Sequence, residues 1–278
     1  MSNLYIATVC IIILILLITI ADVTTNRLIT KAARIRSIIT SLLIAASALG
    51  ECVGLLTNGA PVSFLILHKI SKAVEFSAAP AIGVAAAIAY GDPPRPRLAV
   101  CLCTAHAVFE WIAMCFGWVF RIDSQNLYHR EGLYIIYVAA FILCVIYCFV
   151  SIIRNEKAYQ MGIDIVLILT LLLLAVGIGI QFIFSNIRID YLCITIGNML
   201  LYIRYYKTML QVDAVTRLLN RRCYDVSITD MGSRAVILFF DVDKFKQIND
   251  TYGHSVGDLC LINVAQLLRS TYGKHGLC

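Results

Sequence analysis

The chain has 278 residues, of which 60% are hydrophobic and only 14% are charged, and its formal net charge is +6. With a mean hydropathy of +0.83, this composition excludes an ordinary soluble domain. The sequence therefore predicts an integral membrane protein with a small soluble appendage.

Seven apolar stretches are predicted to cross a bilayer, which takes about 20 residues in a helix. They cover residues 4–20, 38–56, 73–90, 98–120, 133–153, 163–184 and 189–203. The first has neither the basic start nor the small-residue cleavage pattern of a signal peptide, so we expect a membrane helix there. Residues 1–203 are thus predicted to form a multi-pass α-helical membrane domain of about seven helices, with a sensory role as one hypothesis.

Basic residues in the short loops predict the orientation of these helices. Ten Lys and Arg residues follow helices one, three, five and seven, and five lie on the opposite side. Because cytoplasmic loops carry the excess of basic residues, we expect a plasma-membrane protein with its N-terminus outside and its C-terminal domain in the cytoplasm. Residues 1–207 hold 15 basic and 10 acidic side chains, so most of the net charge lies here. Such loop charge indicates contact with the lipid bilayer and not with nucleic acid.

Ionisable side chains at membrane depth are costly and often functional. Glu51 lies in the second stretch, and His106 and Glu110 are four residues apart in the fourth. One hypothesis is that these three side chains line an extracytoplasmic pocket for a small ligand. The alternative is that they pair with one another or reach the membrane interface.

Residues 204–212 are predicted to form a linker helix. The segment from Tyr202 to Asp213 contains no proline, glycine or serine, so the last membrane helix can continue into the soluble part. Such continuity either transmits a movement between the domains or simply tethers them, and the sequence leaves both interpretations open.

The soluble part, residues 213–278, shows the pattern of a partial α/β domain. Residues 220–231 are predicted to form a helix, and 235–240 form an apolar run typical of a strand buried on both faces. Further helices are expected from Lys244 and after Asp258, the second packed on the sheet. Because about 70 residues with one clear strand make a marginal core, we expect strands beyond Cys278 to complete it.

Two carboxylates follow the predicted strand, at the edge where open α/β sheets bind ligands. Asp241 is predicted to bind a hard cation such as Mg²⁺, which prefers carboxylate oxygens and substrate phosphates. Asp243 is expected to cap the following helix. Lys244 and Lys246 come next, and lysines beside a metal-binding carboxylate suit the neutralisation of phosphate charge.

The residues that follow can bind a guanine base. Asn249 offers an amide and Asp258 a carboxylate, which match the N1 and N2 donors and the O6 acceptor of guanine. Gly253 and Gly257 are expected to permit a tight turn that brings Asp258 back towards the strand end. The alternative is that the aspartates only cap a helix and the glycines only mark a turn, which leaves the lysines without explanation.

Residues 241–258, DVDKFKQINDTYGHSVGD, closely resemble the first half of the GGDEF domain, the catalytic domain of diguanylate cyclases. Upstream, residues 213–222 (DAVTRLLNRR) resemble another motif of that family, D-x-L-T-G-L-x-N-R-R, in which glycine usually stands where this chain has Arg217. The resemblance covers about the last quarter of the chain. The chain stops before the G-G-[DE]-E-F loop that names the family, so we expect a truncated domain.

The resemblance implies a role for each matching residue. The Asp241 carboxylate and the Val242 backbone carbonyl would bind the metal, Mg²⁺ or Mn²⁺. Lys246 would contact the triphosphate, so that Asp241 and Lys246 are the implied catalytic residues. Asn249 and Asp258 would bind the guanine of GTP.

The implied reaction takes place in a homodimer formed through the GGDEF domains. Each subunit binds one GTP, and the two nucleotides condense into cyclic di-GMP and two pyrophosphates. The missing loop supplies a second metal-binding carboxylate, so the chain as given is expected to be inactive alone. A membrane-anchored diguanylate cyclase, controlled by a signal that the membrane domain senses, is the function that this resemblance favours.

Two other functions stay open. A non-catalytic receptor could use a degenerate or truncated GGDEF domain to bind GTP or a partner. A transporter or seven-helix sensor with an incidental tail is the third possibility, although no pair of substrate-pathway charges between repeats is evident in the sequence.

Overall fold

The structure is a computed structural model that describes residues 2–26, 28–158, 165–184, 187–230 and 236–278. It consists of two compact units. The first unit contains Met1–Asn155 and Ile163–Tyr205, and the second contains Glu156–Gly162 and Tyr206–Cys278. The predicted domain boundaries at residues 203 and 213 remain a prediction.

Long helices make up most of the first unit and lie where the apolar stretches were predicted. Their bounds are α1 Ser2–Thr25, α2 Lys31–Thr57, α3 Leu65–Tyr90, α4 Pro96–Phe116, α5 Tyr134–Ala158, α6 Ile165–Ile183 and α7 Asp190–Met209. Among the residues that the structure describes, five helical stretches are long and apolar enough to cross a membrane: Leu4–Thr25, Lys31–Thr57, Val62–Tyr90, Pro96–Phe116 and Tyr134–Glu156. The prediction of an apolar, mostly helical N-terminal region is confirmed, and the number of membrane spans stays a prediction.

Small residues allow the helices of this unit to pack closely. A Cβ on Gly50 of α2 would lie 2.8 Å from the backbone oxygen of Ser71 on α3, so the two helices touch through their backbones. Nearby, α1, α2 and α3 bury a common apolar cluster that includes Ile12, Ile44 and Ile82. The core of the first unit therefore lies along α2 and α3.

The fourth predicted span extends too far at its C-terminal end. Helix α4 ends at Phe116, because Gly117 adopts a left-handed conformation with φ of 68° that stops the helix. The chain then forms an antiparallel hairpin of β1 (Phe120–Ile122) and β2 (Tyr128–Arg130), in which Phe120 lies opposite Arg130. Phe120 is therefore a strand residue that packs in the core, 1% exposed, and the prediction of helix up to this residue was wrong.

The ionisable side chains of the membrane helices form separate pairs. His106 Nε2 lies 3.5 Å from Glu110 Oε1 on α4, as the pairing hypothesis predicts. Glu51 instead accepts hydrogen bonds from Tyr5 and Arg188. It lines a cavity whose described lining includes neither His106 nor Glu110, so the hypothesis of one pocket for all three side chains was wrong.

The described part of the second unit is helical. Helix α7 ends at Met209, so the predicted linker helix stops three residues before residue 212, where Val212 pairs with Leu219 in an isolated bridge. Helix α8 spans Arg221–Asp230, α9 Phe245–Tyr252 and α10 His254–Tyr272. The helix predicted over residues 220–231 is confirmed as α8 for residues 221–230; Asn220 precedes the helix, and Met231 lies outside the described residues.

The strand predicted over residues 235–240 is not observed in residues 236–240, and Ala235 lies outside the described residues. Val236 and Phe239 are 84% and 81% exposed, so the segment is not buried on both faces either. A strand is stable only beside other strands that take up its backbone hydrogen bonds, and the described residues of this unit provide none. The α/β architecture and the packing of α10 on a sheet are therefore not observed in the described part of this unit.

Candidate functional site

The upstream motif forms a hydrogen-bonded loop between α7 and α8. The Asp213 carboxylate accepts hydrogen bonds from the backbone N–H of Val215 and from Thr216, whose N–H and Oγ1 lie 2.8 and 2.9 Å away. The amide of Asn220 donates to the Leu210 carbonyl at 2.8 Å and closes the loop. The hydrogen bond from the Thr216 N–H is the main cause of a lowered pKa for Asp213.

Arg217 explains why this motif usually carries glycine. Its φ is 59°, in the left-handed region where a Cβ causes strain. The loop still closes, since the Arg217 N–H donates to the Asp213 carbonyl and the Arg269 side chain donates to the Arg217 carbonyl. The departure from the motif therefore keeps the turn and adds backbone strain to it.

The predicted metal ligands lie in the segment that leads into α9. Asp241 is exposed and Val242 is half-buried, and the Val242 carbonyl accepts a hydrogen bond of 3.3 Å from the Phe245 amide. Lys244 occupies the N-cap position of α9 with φ of 54° and makes no side-chain cap bond. Asp243 is thus not the cap residue, and that prediction was wrong, because the chain turns into the helix one residue later than expected.

Lys246 and Asn249 are three residues apart on α9, a spacing that places them on neighbouring positions of one helix face. Lys246 is exposed and Asn249 is half-buried. Asp241, at the start of this segment, is exposed like Lys246. The segment therefore presents both signs of charge to solvent.

A single residue, Gly253, joins α9 to α10. Its φ of 84° requires glycine, and this part of the expected turn is confirmed. Gly257 is instead a buried residue within α10, so its predicted place in the turn was wrong. A Cβ there would lie 1.9 Å from Asn249 Oδ1 and 3.3 Å from Phe245 Cζ. Because glycine has no side chain, Gly257 leaves room for Asn249 to contact α10.

The structure thus brings part of the predicted site together. Asn249 lies against the residue that precedes Asp258, and Asp258 is exposed beside it in the chain. The helix–glycine–helix corner, rather than a strand end, provides this proximity. The sequence did contain a signal for it, since the apolar spacing of α10 extends back through Gly257, and a glycine inside a helix often marks a close contact. Phe245, which packs at this corner, was not predicted.

The segment 236–240 borders an apolar cleft of about 470 Å³ in the second unit. Phe240 packs its ring 5.4 Å from that of Tyr272 on α10, and Phe239 lies 6.2 Å from Tyr224 on α8. These contacts hold the chain leading to Asp241 against two helices.

No cluster of three or more His, Cys, Asp or Glu side chains that could hold a metal occurs in the part of the chain that the structure describes. The donor set at residues 241–242 consists of one carboxylate and one backbone carbonyl. Mg²⁺ typically binds proteins through one or two carboxylates and takes its other ligands from water and substrate phosphates. Hard oxygen donors on an accessible segment therefore fit this ion.

Comparison with known proteins identifies the segment. Residues 210–278 match the family model described as "Diguanylate cyclase, GGDEF domain". The C-terminal segment matches the GGDEF domain. The match begins just before the Asp213 loop and includes the corner around Asn249 and Gly257.

Three relatives share the GGDEF segment. It is 39% identical over 71 residues to the probable diguanylate cyclase DgcI of Escherichia coli K12, covering 25% of this chain and 16% of that protein. Diguanylate cyclase DosC of the same strain is 42% identical over 62 residues, which is 20% of this chain and 14% of DosC. The cyclic di-GMP phosphodiesterase PdeB of Shewanella oneidensis is 35% identical over 68 residues, 23% of this chain and 8% of PdeB.

The chain therefore spans only a small part of the length of these relatives. No solved structure matches it. The family match and the relatives support a role in cyclic di-GMP signalling.

Proposed function

We propose that the chain belongs to a membrane-anchored diguanylate cyclase, in which residues 210–278 take part in GTP binding and the membrane domain controls the enzyme. The match of residues 210–278 to the GGDEF family carries the proposal. Within the matched residues, Asp241 suits a metal ion and Lys246 suits the phosphates. Asn249 and Asp258 suit the guanine base, so each part of a metal–GTP complex has a chemically matching side chain.

The roles of these residues follow from their chemistry. The Asp241 carboxylate and the Val242 carbonyl hold Mg²⁺ or Mn²⁺, which supplies charge neutralisation at the phosphates. The Lys246 ammonium binds the triphosphate as a mobile point charge. Asn249 and Asp258 hydrogen-bond the guanine edge, and the close contact of Asn249 with Gly257 supports a common site for the two side chains.

The reaction joins two GTP molecules, one held by each subunit of a homodimer. The 3′-hydroxyl of each nucleotide attacks the α-phosphate of the other, and two pyrophosphates leave. The protein contributes by positioning the nucleotides and by stabilising charge. One domain presents only half of the reacting pair, so dimerisation is required.

The first unit is the membrane anchor in this proposal. About seven helices cross the plasma membrane, with the N-terminus outside and the GGDEF segment in the cytoplasm, where GTP is found. The five long apolar helices and the excess of basic residues in alternate loops support this arrangement.

The experiment is to measure cyclic di-GMP formed from GTP, in detergent and with Mg²⁺ present, by the full-length protein, meaning the complete product of the gene that encodes this sequence. Asp241→Ala should abolish the product, whereas Asp250→Ala, at an exposed aspartate on α9 outside the proposed site, should not. Absence of cyclic di-GMP from the unaltered protein would contradict the cyclase proposal.

A second candidate is a non-catalytic GTP-binding or partner-binding receptor. One observation favours it: a similar segment, 35% identical over 68 residues, occurs in PdeB, whose name is that of a phosphodiesterase and not of a cyclase. GTP binding without product in the same assay would support this candidate over the enzyme.

A further inference from the structure

A polar cavity of about 170 Å³ lies at one end of the first unit. Its walls come from the C-terminal part of α2, the N-terminal parts of α3, α5 and α7, and strand β2. In the predicted orientation this end faces outside the cell. The volume is below the range of about 300–1,000 Å³ that is typical of sites for drug-sized ligands, so the cavity suits a smaller molecule.

Charged side chains are buried in the wall of the cavity. Glu51 is 1% exposed and accepts hydrogen bonds from the Tyr5 hydroxyl and the Arg188 guanidinium. Lys72 and Glu75 are each 7% exposed, and their Nζ and Oε2 atoms are 2.7 Å apart. Burying charged groups costs free energy unless partners compensate it. Such groups inside a helical membrane domain therefore often mark a functional site.

Aromatic rings complete the wall and already accommodate cations. Lys72 Nζ lies 5.2 Å from the centre of the Tyr128 ring, and the Arg130 guanidinium lies 4.8 Å from that of Tyr134. Both distances are within the range of cation–π attraction. Arg130 is itself exposed at the mouth of the cavity, so its charge can meet an entering ligand.

His68 presents a buried acceptor to the cavity. The Asn126 amide nitrogen donates to the carbonyls of Thr57 and Ala60, at 2.8 and 3.1 Å, which fixes the orientation of the amide. Asn126 Oδ1 then accepts from His68 Nδ1 at 2.9 Å, so that nitrogen carries the proton. His68 is 0% exposed, and its Nε2 atom has no hydrogen-bond partner among the described residues. Because buried polar atoms are nearly always paired, a donor on a ligand is the expected partner.

The charges around the cavity balance. Among the described residues of its lining, three are acidic, Glu51, Glu75 and Asp190. Three others in the same described lining are basic, Lys72, Arg130 and Arg188. A ligand with a net charge would leave one buried charge uncompensated, whereas a ligand that carries both signs keeps the balance.

We propose that this cavity binds a small zwitterion of the amino-acid class. The ligand carboxylate lies towards Arg130 and Lys72, and its ammonium group lies towards His68 Nε2 and Glu75. We expect this ligand to be the signal that controls cyclic di-GMP synthesis. That role rests on the proposed function, whereas binding of the ligand does not.

The test uses the full-length protein in detergent without GTP, and the probes are the twenty common L-amino acids. At least one should raise the unfolding temperature in a saturable way. Its N-acetyl derivative, which loses the positive charge, and its amide, which loses the negative charge, should have no effect at the same concentration.

Two variants on the hairpin provide the matched comparison. Arg130→Gln should raise the dissociation constant about tenfold or more, because it removes a charged partner of the carboxylate. Arg121→Gln removes an equal charge from β1. Arg121 Nε lies 3.0 Å from Glu131 Oε1, and Arg121 is not among the described residues that line the cavity, so this variant should leave binding unchanged.

The proposal is overturned if none of the twenty amino acids binds, if the derivatives bind as well as the parent, or if the two variants behave alike. Because the assay contains no nucleotide, a failure of the cyclase proposal leaves its result intact.

Discussion

Gly257 tests whether the corner between α9 and α10 positions a guanine ligand. In Gly257→Ala, the new Cβ would lie 1.9 Å from Asn249 Oδ1, whereas ordinary contact begins at 3.4 Å, so the oxygen must move by about 1.5 Å. The Asn249 side chain can rotate away, so folding is little affected, and alanine favours helix α10 by up to about 1 kcal/mol. The displaced amide should lose its hydrogen bond to guanine.

The expected loss is that of one hydrogen bond, about 0.5–1.5 kcal/mol, which raises the dissociation constant for GTP roughly two- to tenfold. Asn249→Ala should give a loss of the same size. The double variant should bind no worse than Asn249→Ala, because both changes remove the same interaction. Gly276→Ala, at a position where a Cβ meets nothing within 4 Å, is the control for the substitution type.

The assay is fluorescence titration of a labelled GTP analogue with Mg²⁺, combined with thermal unfolding of each variant. Additive losses in the double variant, or an unchanged dissociation constant in Gly257→Ala, would refute the positioning of guanine by Asn249. A large fall in unfolding temperature in Gly257→Ala would refute the inference that only the side-chain end of Asn249 is displaced.

Other predictions concern the loop and the hairpin. Arg217→Gly should relieve the strain of the left-handed conformation and raise the opening free energy of residues 213–218 by about 1 kcal/mol. Hydrogen exchange of these residues should therefore slow, and faster exchange would contradict this prediction. Asp213→Ala should cost about 1–2 kcal/mol in the same measurement. Because the pKa of Asp213 is lowered, its stabilisation is fully present above the unfolded value of about 3.9 and is lost as the pH falls from there through the lower pKa of the folded state. The protection factor of the Thr216 amide, which removes the intrinsic pH dependence of exchange, should therefore fall between pH 5 and pH 3 in the parent but not in Asp213→Ala. Phe120→Ala should destabilise the first unit by about 3–5 kcal/mol in thermal unfolding, and Phe116→Ala, at a 67% exposed position, by far less.

The sequence predicted the apolar helices well because their signal is local. A run such as residues 4–20 is apolar over its whole length, and α1 forms there as expected. The end of α4 was missed for a local reason, since the apolar run continues past Gly117 while the backbone turns at that glycine. Hydropathy alone does not separate an apolar helix end from the apolar strand that follows it.

The failed strand shows the limit of local pattern. Residues 236–240 have the composition of a buried strand, yet a strand also needs partners that no local pattern specifies. The same limit applies to the cavity in the first unit. Arg188 and Glu51 meet although they are far apart in the chain, and their sequence context gave no indication of this contact.

The site itself was predictable in its chemistry and less so in its geometry. The residue types from Asp241 to Asp258 indicated metal, phosphate and base ligands. The glycine that permits the Asn249 contact was assigned to a turn, because spacing does not distinguish Gly253, with its positive φ, from Gly257 within a helix.

Equilibrium binding of GTP to the full-length protein, with and without Mg²⁺, tests the account most directly. We predict saturable binding that is strengthened by Mg²⁺, with the strengthening abolished in Asp241→Ala and retained in Asp250→Ala. Absence of GTP binding, or Mg²⁺-dependent binding that survives Asp241→Ala, would contradict the central claim.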